Sequence, residues 1–84
     1  MNTVTIRYFA SIREVLGTGE KLSVRDDATV GEVRDALIAR SPEHAAALAR
    51  GKALRCALNQ SLSDESAAVG QGAEVAFFPP VTGG

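Results

Sequence analysis

The two most strongly alternating apolar runs of this chain lie at its opposite ends. From Thr3 to Phe9, Val4, Ile6 and Tyr8 share one face while Thr3, Thr5 and Arg7 take the other. From Glu74 to Phe78, Val75 and Phe77 face one way and Ala76 and Phe78 the other. Period-two alternation marks a strand with one buried face. A chain of 84 residues has room for a single core, so both runs must bury their apolar faces in it. The first and last strands are therefore expected to be neighbours in the middle of one sheet.

The segments between them supply the rest of the layer. Ala10 to Leu16 reads as a short helical turn closed by Gly17-Thr18-Gly19, and Lys21 to Arg25 as a second strand forming a hairpin with the first. Thr29-Val30-Gly31-Glu32 is a capping box. Val30, Val33, Leu37 and Ile38 follow at helical spacing, with Arg34, Asp35 and Arg40 expected outside. Ser41-Pro42 ends this main helix and starts a second short one, closed by Gly51. Leu54, Cys56 and Leu58 mark a third strand, Asn59-Gln60 a turn, Ser61-Leu62 a brief edge strand, and Ser63 to Gly72 a loop. The order predicts an α+β domain with a mixed sheet packed on one main helix. That arrangement is the ubiquitin-like β-grasp, with residues 1–78 as the domain and 79–84 as a flexible, protruding C-terminal tail.

Charge and cysteine content narrow the chemistry. Nine Lys/Arg against ten Asp/Glu, interleaved along the chain, give a net charge of −1. Nucleic-acid and membrane-surface partners are therefore not expected. A single cysteine, Cys56, excludes an intramolecular disulfide and a multi-cysteine metal site, and its phase with Leu54 and Leu58 makes it a small buried residue before a reactive thiol. The start of the chain does not read as a secretory signal, and no apolar run reaches the ~18 residues of a bilayer span, so a soluble, cytoplasmic setting is expected. Gly17-Thr18-Gly19 lacks the further residues of a phosphate loop. His44, the one histidine, reads as part of a solvated helix start before a general base. No metal site and no bound cofactor are expected. Arg50, Lys52 and Arg55 form the densest basic cluster, either solvated surface or a dock for an acidic or phosphate-bearing partner.

Two features point outward. Phe9 and Phe78 fall on the faces their strands otherwise give to polar or small residues, and Leu62 sits on the short edge strand. With the terminal strands adjacent, these three form one exposed apolar patch unless a loop or the short helix covers them. The second feature is the end of the chain, Phe78-Pro79-Pro80-Val81-Thr82-Gly83-Gly84. Its prolines hold extended geometry and block a helix. Six residues from Pro79 span up to about 20 Å. Gly83 and Gly84 have no side chains and fit a channel too narrow for a Cβ. The terminal carboxylate, ionised at neutral pH, can attack the α-phosphate of ATP held by an enzyme, and the acyl-adenylate can pass to a sulfur nucleophile as a thiocarboxylate.

At these residues the chain resembles the sulfur-carrier (small) subunits of molybdopterin synthase. The likeness runs through Tyr8-Phe9-Ala10-Ser11-Ile12-Arg13-Glu14-Val15-Leu16-Gly17, Leu58-Asn59-Gln60-Ser61-Leu62 and the segment from Glu74 to Gly84. It is in pattern only from Asp26 to Arg50. Gln71-Gly72-Ala73 stands where the family usually has Asp-Gly-Asp. The resemblance implies that a ubiquitin-activating-like adenylating enzyme, consuming ATP, activates Gly84 and that a sulfur donor converts it to a thiocarboxylate. Pro79, Pro80, Val81, Thr82 and Gly83 would thread into the large catalytic subunit, where the sulfur goes to cyclic pyranopterin monophosphate. It also implies Phe9, Leu62 and Phe78 as partner-binding residues, beside the docking reading of Lys52 and Arg55, and a chain without catalytic residues of its own. A sulfur carrier of another pathway (thiamine, tRNA thiolation or cysteine synthesis), a protein modifier joined through Gly84, and a plain binding module with a passive tail remain as alternatives.

Overall fold

A computed structural model of the protein describes residues 1–80; Val81 to Gly84, which include the site residues expected at Val81, Thr82, Gly83 and Gly84, lie outside the described residues. The elements run β1 (Asn2–Tyr8), α1 (Ala10–Leu16), β2 (Gly19–Val24), α2 (Val30–Ile38), α3 (Pro42–Leu48), β3 (Arg55–Leu58), β4 (Ser61–Ser63) and β5 (Glu74–Phe78). The strands form one sheet in the order β2-β1-β5-β3-β4. β1 and β5 pair in parallel at its centre, Ile6 opposite Val75 and Tyr8 opposite Phe77, and the other pairings are antiparallel. The sheet is thus mixed, with the first and last strands paired at its centre as expected.

Val4, Ile6, Tyr8, Val75 and Phe77 point to the face covered by the helices, where Ile12, Val30, Val33, Leu37 and Leu48 meet them. α2 begins where the capping box predicts: Thr29 Oγ1 accepts from the Glu32 amide and the Glu32 carboxylate accepts from the Thr29 amide. The two amides before Glu32, those of Val30 and Gly31, donate to the carbonyls of Ala67 and Glu65. The backbone of the long connection after β4 thereby closes the start of α2. The β3–β4 turn puts Asn59 and Gln60 at φ 51° and 70°, the geometry of a tight hairpin that Asn accepts and Gln adopts with strain.

Four expectations need correction. β1 stops at Tyr8, and Phe9 is the extended N-cap of α1 instead of a strand residue. Arg34 does not face solvent: it is 3% exposed, because the chain around Leu48–Lys52 and Glu65 folds over that flank of α2. His44 is not simply solvated, since its ring bonds Glu20 on β2. Arg50 leaves the basic cluster, bonding Asp35, Glu65 and the Gly31 carbonyl.

Candidate functional site

The sheet has a second face, away from the helices, and register decides what it presents. Arg7, Ala76, Ala57 and Leu62 lie in one row across β1, β5, β3 and β4. Phe78 and Arg55 form the next row toward the end of β5. Ala57 and Ala76 are buried yet stand outside the cluster that packs under the helices, so they floor a shallow apolar strip on this outer face. Leu62, 72% exposed, closes the strip on the edge strand, and half-buried Phe78 closes it where the chain leaves the sheet. Phe9, 41% exposed, follows Tyr8, whose partner Phe77 precedes Phe78, so the two phenylalanines leave adjacent strands at the same level. The register thus places Phe9 and Phe78 at one end of the sheet, with Leu62 one row back on the edge strand. The alanine floor and Arg7 were not singled out from sequence; outward-facing alanines at strand positions that usually carry polar side chains are the signal that could have found them.

β5 leads directly into Pro79 and Pro80. Pro79 is half-buried and lines a cavity of about 220 Å³ with Ile12 and Val15 of α1 and Lys52 and Leu54 of the chain before β3. Pro80 is exposed. Neither proline can donate a hydrogen bond, so the ladder ends at Phe78. Lys52 and Arg55 flank this exit: Lys52 lines the Pro79 cavity, and Arg55 is the register partner of Phe78. Both are exposed.

The other candidate groups are occupied. Cys56 is buried, its Sγ donating to the Ser63 carbonyl at 3.1 Å. Burial, then the charges of Glu65 and Asp64, push its thiol above the ordinary value, away from thiolate chemistry. Ser41, His44 and Glu20 stand in a line, Ser41 Oγ 2.7 Å from His44 Nδ1 and His44 Nε2 2.7 Å from Glu20 Oε2. The same Oγ accepts from the His44 amide as the cap of α3, so its role is structural. Glu20 also accepts from the Tyr8 hydroxyl at 2.7 Å and pairs with Arg40 at 3.1 Å. Burial raises the Tyr8 phenol, and the bond to Glu20 adds to it. Burial alone would raise Glu20, but the bonds from Tyr8 and His44 and the charge of Arg40 outweigh it and hold the carboxyl below its usual range. Among the described residues no group of three or more His, Cys, Asp or Glu could hold a metal ion.

Residues 6–84 match the ThiS family. The chain is similar to the molybdopterin synthase sulfur carrier subunit of Haemophilus influenzae, 43% identical over 82 residues, covering 96% of this chain and 99% of that one. Its likeness to the Escherichia coli subunit of the same name is 42% over 81 residues, with 96% and 99% covered. Small archaeal modifier protein 1 of Haloferax volcanii is 36% identical over 84 residues, covering 93% and 97%. Among solved structures, the crystal structure of that Haloferax protein superposes with a TM-score of 0.79, at 31% identity over 99% of this chain and all of the other. A chain from the protein–protein complex of subunits 1 and 2 of the molybdopterin-converting factor of Helicobacter pylori superposes with a TM-score of 0.67, at 26% identity over 98% and 99%.

Proposed function

This chain belongs to the ThiS family, and from that premise we propose that it is the sulfur-carrier subunit of molybdopterin synthase. The observation that carries this reading is the placement of β5. The central strand ends at Phe78 on an outward apolar face and hands the chain to Pro79-Pro80, with Gly83-Gly84 still to come. A fold of this kind holds a binding face rigid and starts the tail, at Pro79-Pro80, beside it.

The chemistry belongs to the terminal carboxylate. An oxygen of Gly84 attacks the α-phosphorus of ATP on a separate adenylating enzyme, and pyrophosphate leaves. Hydrosulfide supplied by a donor then adds to the acyl carbon and loses its proton, and AMP leaves with the original oxygen. The resulting thiocarboxylate is carried into the large catalytic subunit, where its sulfur attacks a carbon of cyclic pyranopterin monophosphate and an oxygen substituent leaves that carbon, so that the acyl group is held to the substrate as a thioester. Hydrolysis of the acyl group returns the carboxylate. This chain's own residues bind and position: the strip of Ala57, Ala76, Leu62 and Phe78 seats the partner, and Pro79 and Pro80 start the tail in an extended direction.

Intact-mass spectrometry after incubation with ATP, the adenylating enzyme and a sulfur source tests the reading. One oxygen replaced by sulfur at Gly84 is the expected change, and deletion of Gly84 abolishes it while the thermal unfolding midpoint stays put. Normal sulfur transfer without Gly84 overturns it. The likeness to a protein named as a modifier supports a second reading, an isopeptide bond from Gly84 to a lysine. In the same experiment with cell extract it predicts adducts of protein size.

A further inference from the structure

Resting on the sulfur-carrier reading, we propose that Arg7, Lys52 and Arg55 form a cationic collar at the tail exit that docks onto carboxylates on the large subunit, around the mouth of the channel receiving the tail. The chain has nine Lys/Arg. Four are spent internally: Arg25 on Asp27 and Glu32, Arg34 on Glu65, Arg40 on Glu20, and Arg50 on Asp35 and Glu65. Arg7, Lys52 and Arg55 are exposed, and none forms an ion pair among the described residues, although acids outnumber bases.

Their positions are prepared by the fold. Arg7 and Arg55 sit on strands either side of β5, two strand spacings across and two residues along, about 12 Å apart, with the apolar strip between them. Lys52 is held by its backbone: its amide donates to the Ala49 carbonyl and its own carbonyl accepts from Arg34. The acid on the same face, Glu74, lies four residues back along β5 from Phe78, about 13 Å from the exit. Asp64 shares a groove with Arg55 without pairing to it. Glu14 is on α1, as is Arg13, and Lys21 is on β2, two strands from β5. A partner that buries the strip also draws these three cations from water. That is unfavourable unless it presents carboxylates to them.

Stopped-flow association with the cognate large subunit tests this, each variant first shown to be folded by circular dichroism. At low ionic strength Arg7→Glu, and Lys52→Glu combined with Arg55→Glu, are expected to slow association at least about tenfold, with smaller losses for the glutamine variants. The differences collapse near 1 M salt, where the Debye length is about 3 Å. Lys21→Glu, with the same change in net charge but on β2, farther from the tail exit, slows association less than Arg7→Glu does. Unchanged association, a loss that salt does not remove, an equal loss in Lys21→Glu, or an effect confined to the adenylating enzyme overturns the collar. Failure of the unmodified chain to bind the large subunit at all overturns the sulfur-carrier reading and the collar with it.

Discussion

Replacing Arg34 by alanine removes the most heavily bonded side chain among the described residues. Its guanidinium donates to the carbonyls of Leu48 (2.9 Å), Ala49 (2.7 Å) and Lys52 (3.2 Å) and to Glu65 Oε2 (2.7 Å). The consequences differ among the four. Lys52 is exposed and Ala49 half-buried, so water can reach their carbonyls, and Glu65 keeps Arg50. Leu48 is fully buried, and its stranded carbonyl costs about 1–3 kcal/mol. With the lost charge-assisted bonds and the packing of the side-chain stem, the total comes to about 3–4 kcal/mol, near the lower end for breaking a buried ion pair. A domain of this size has about 4–12 kcal/mol in all. Thermal unfolding is then expected to shift down by about 12–30 °C. Arg34→Met, which keeps the stem, separates packing from hydrogen bonding. Urea unfolding gives the free energy directly, and a loss for Arg34→Ala below about 1 kcal/mol would refute the reasoning by showing that these carbonyls find other partners.

Other outcomes follow from the same geometry. Gly19→Ala places a Cβ 2.1 Å from the Ile6 carbonyl oxygen, so the β1–β2 hairpin must shift, at an expected cost of about 1–3 kcal/mol in urea unfolding. The Glu20 carboxyl is held below its unfolded value, so its contribution is present above the ordinary carboxylate range near pH 4.3 and is lost as pH falls through the lower folded value. Glu20→Gln therefore flattens the acid limb of a stability–pH profile, leaving the similarly lowered Glu65 to supply the rest; an unchanged slope counts against the cluster. Leu62→Asp changes an exposed side chain and should leave stability within about 0.5 kcal/mol. Calorimetry should nonetheless find its affinity for the large subunit, and that of Phe78→Asp, at least about tenfold weaker, because each places an unpaired charge on the apolar strip.

Much of the candidate site was legible in the sequence because it depends on short-range pattern. Phe9 and Phe78 stood out by breaking the alternation of their segments and Leu62 by its place on a short edge strand; the two phenylalanines emerge at one end of the sheet and Leu62 one row back on its edge. The alanine floor was overlooked because Ala57 and Ala76 are unremarkable singly; they form a surface only when β3 and β5 pair. Lys52, Arg50 and Arg55 looked alike as a cluster. Asp35 and Glu65, each fifteen residues from Arg50, draw that residue away and leave the other two at the tail exit.

By itself the sequence determined β1, β5 and the start of α2, and the end of the last strand at the proline pair after Phe78. Strand alternation, a capping box and a proline pair act through the stereochemistry of neighbouring residues. Only the tertiary structure decided that Arg34 is buried, that His44 and Tyr8 share Glu20, and which cations are left without an acid. Those outcomes depend on groups far apart in the chain, whose attraction becomes strong only once folding has brought them within a few ångströms and removed the water between them.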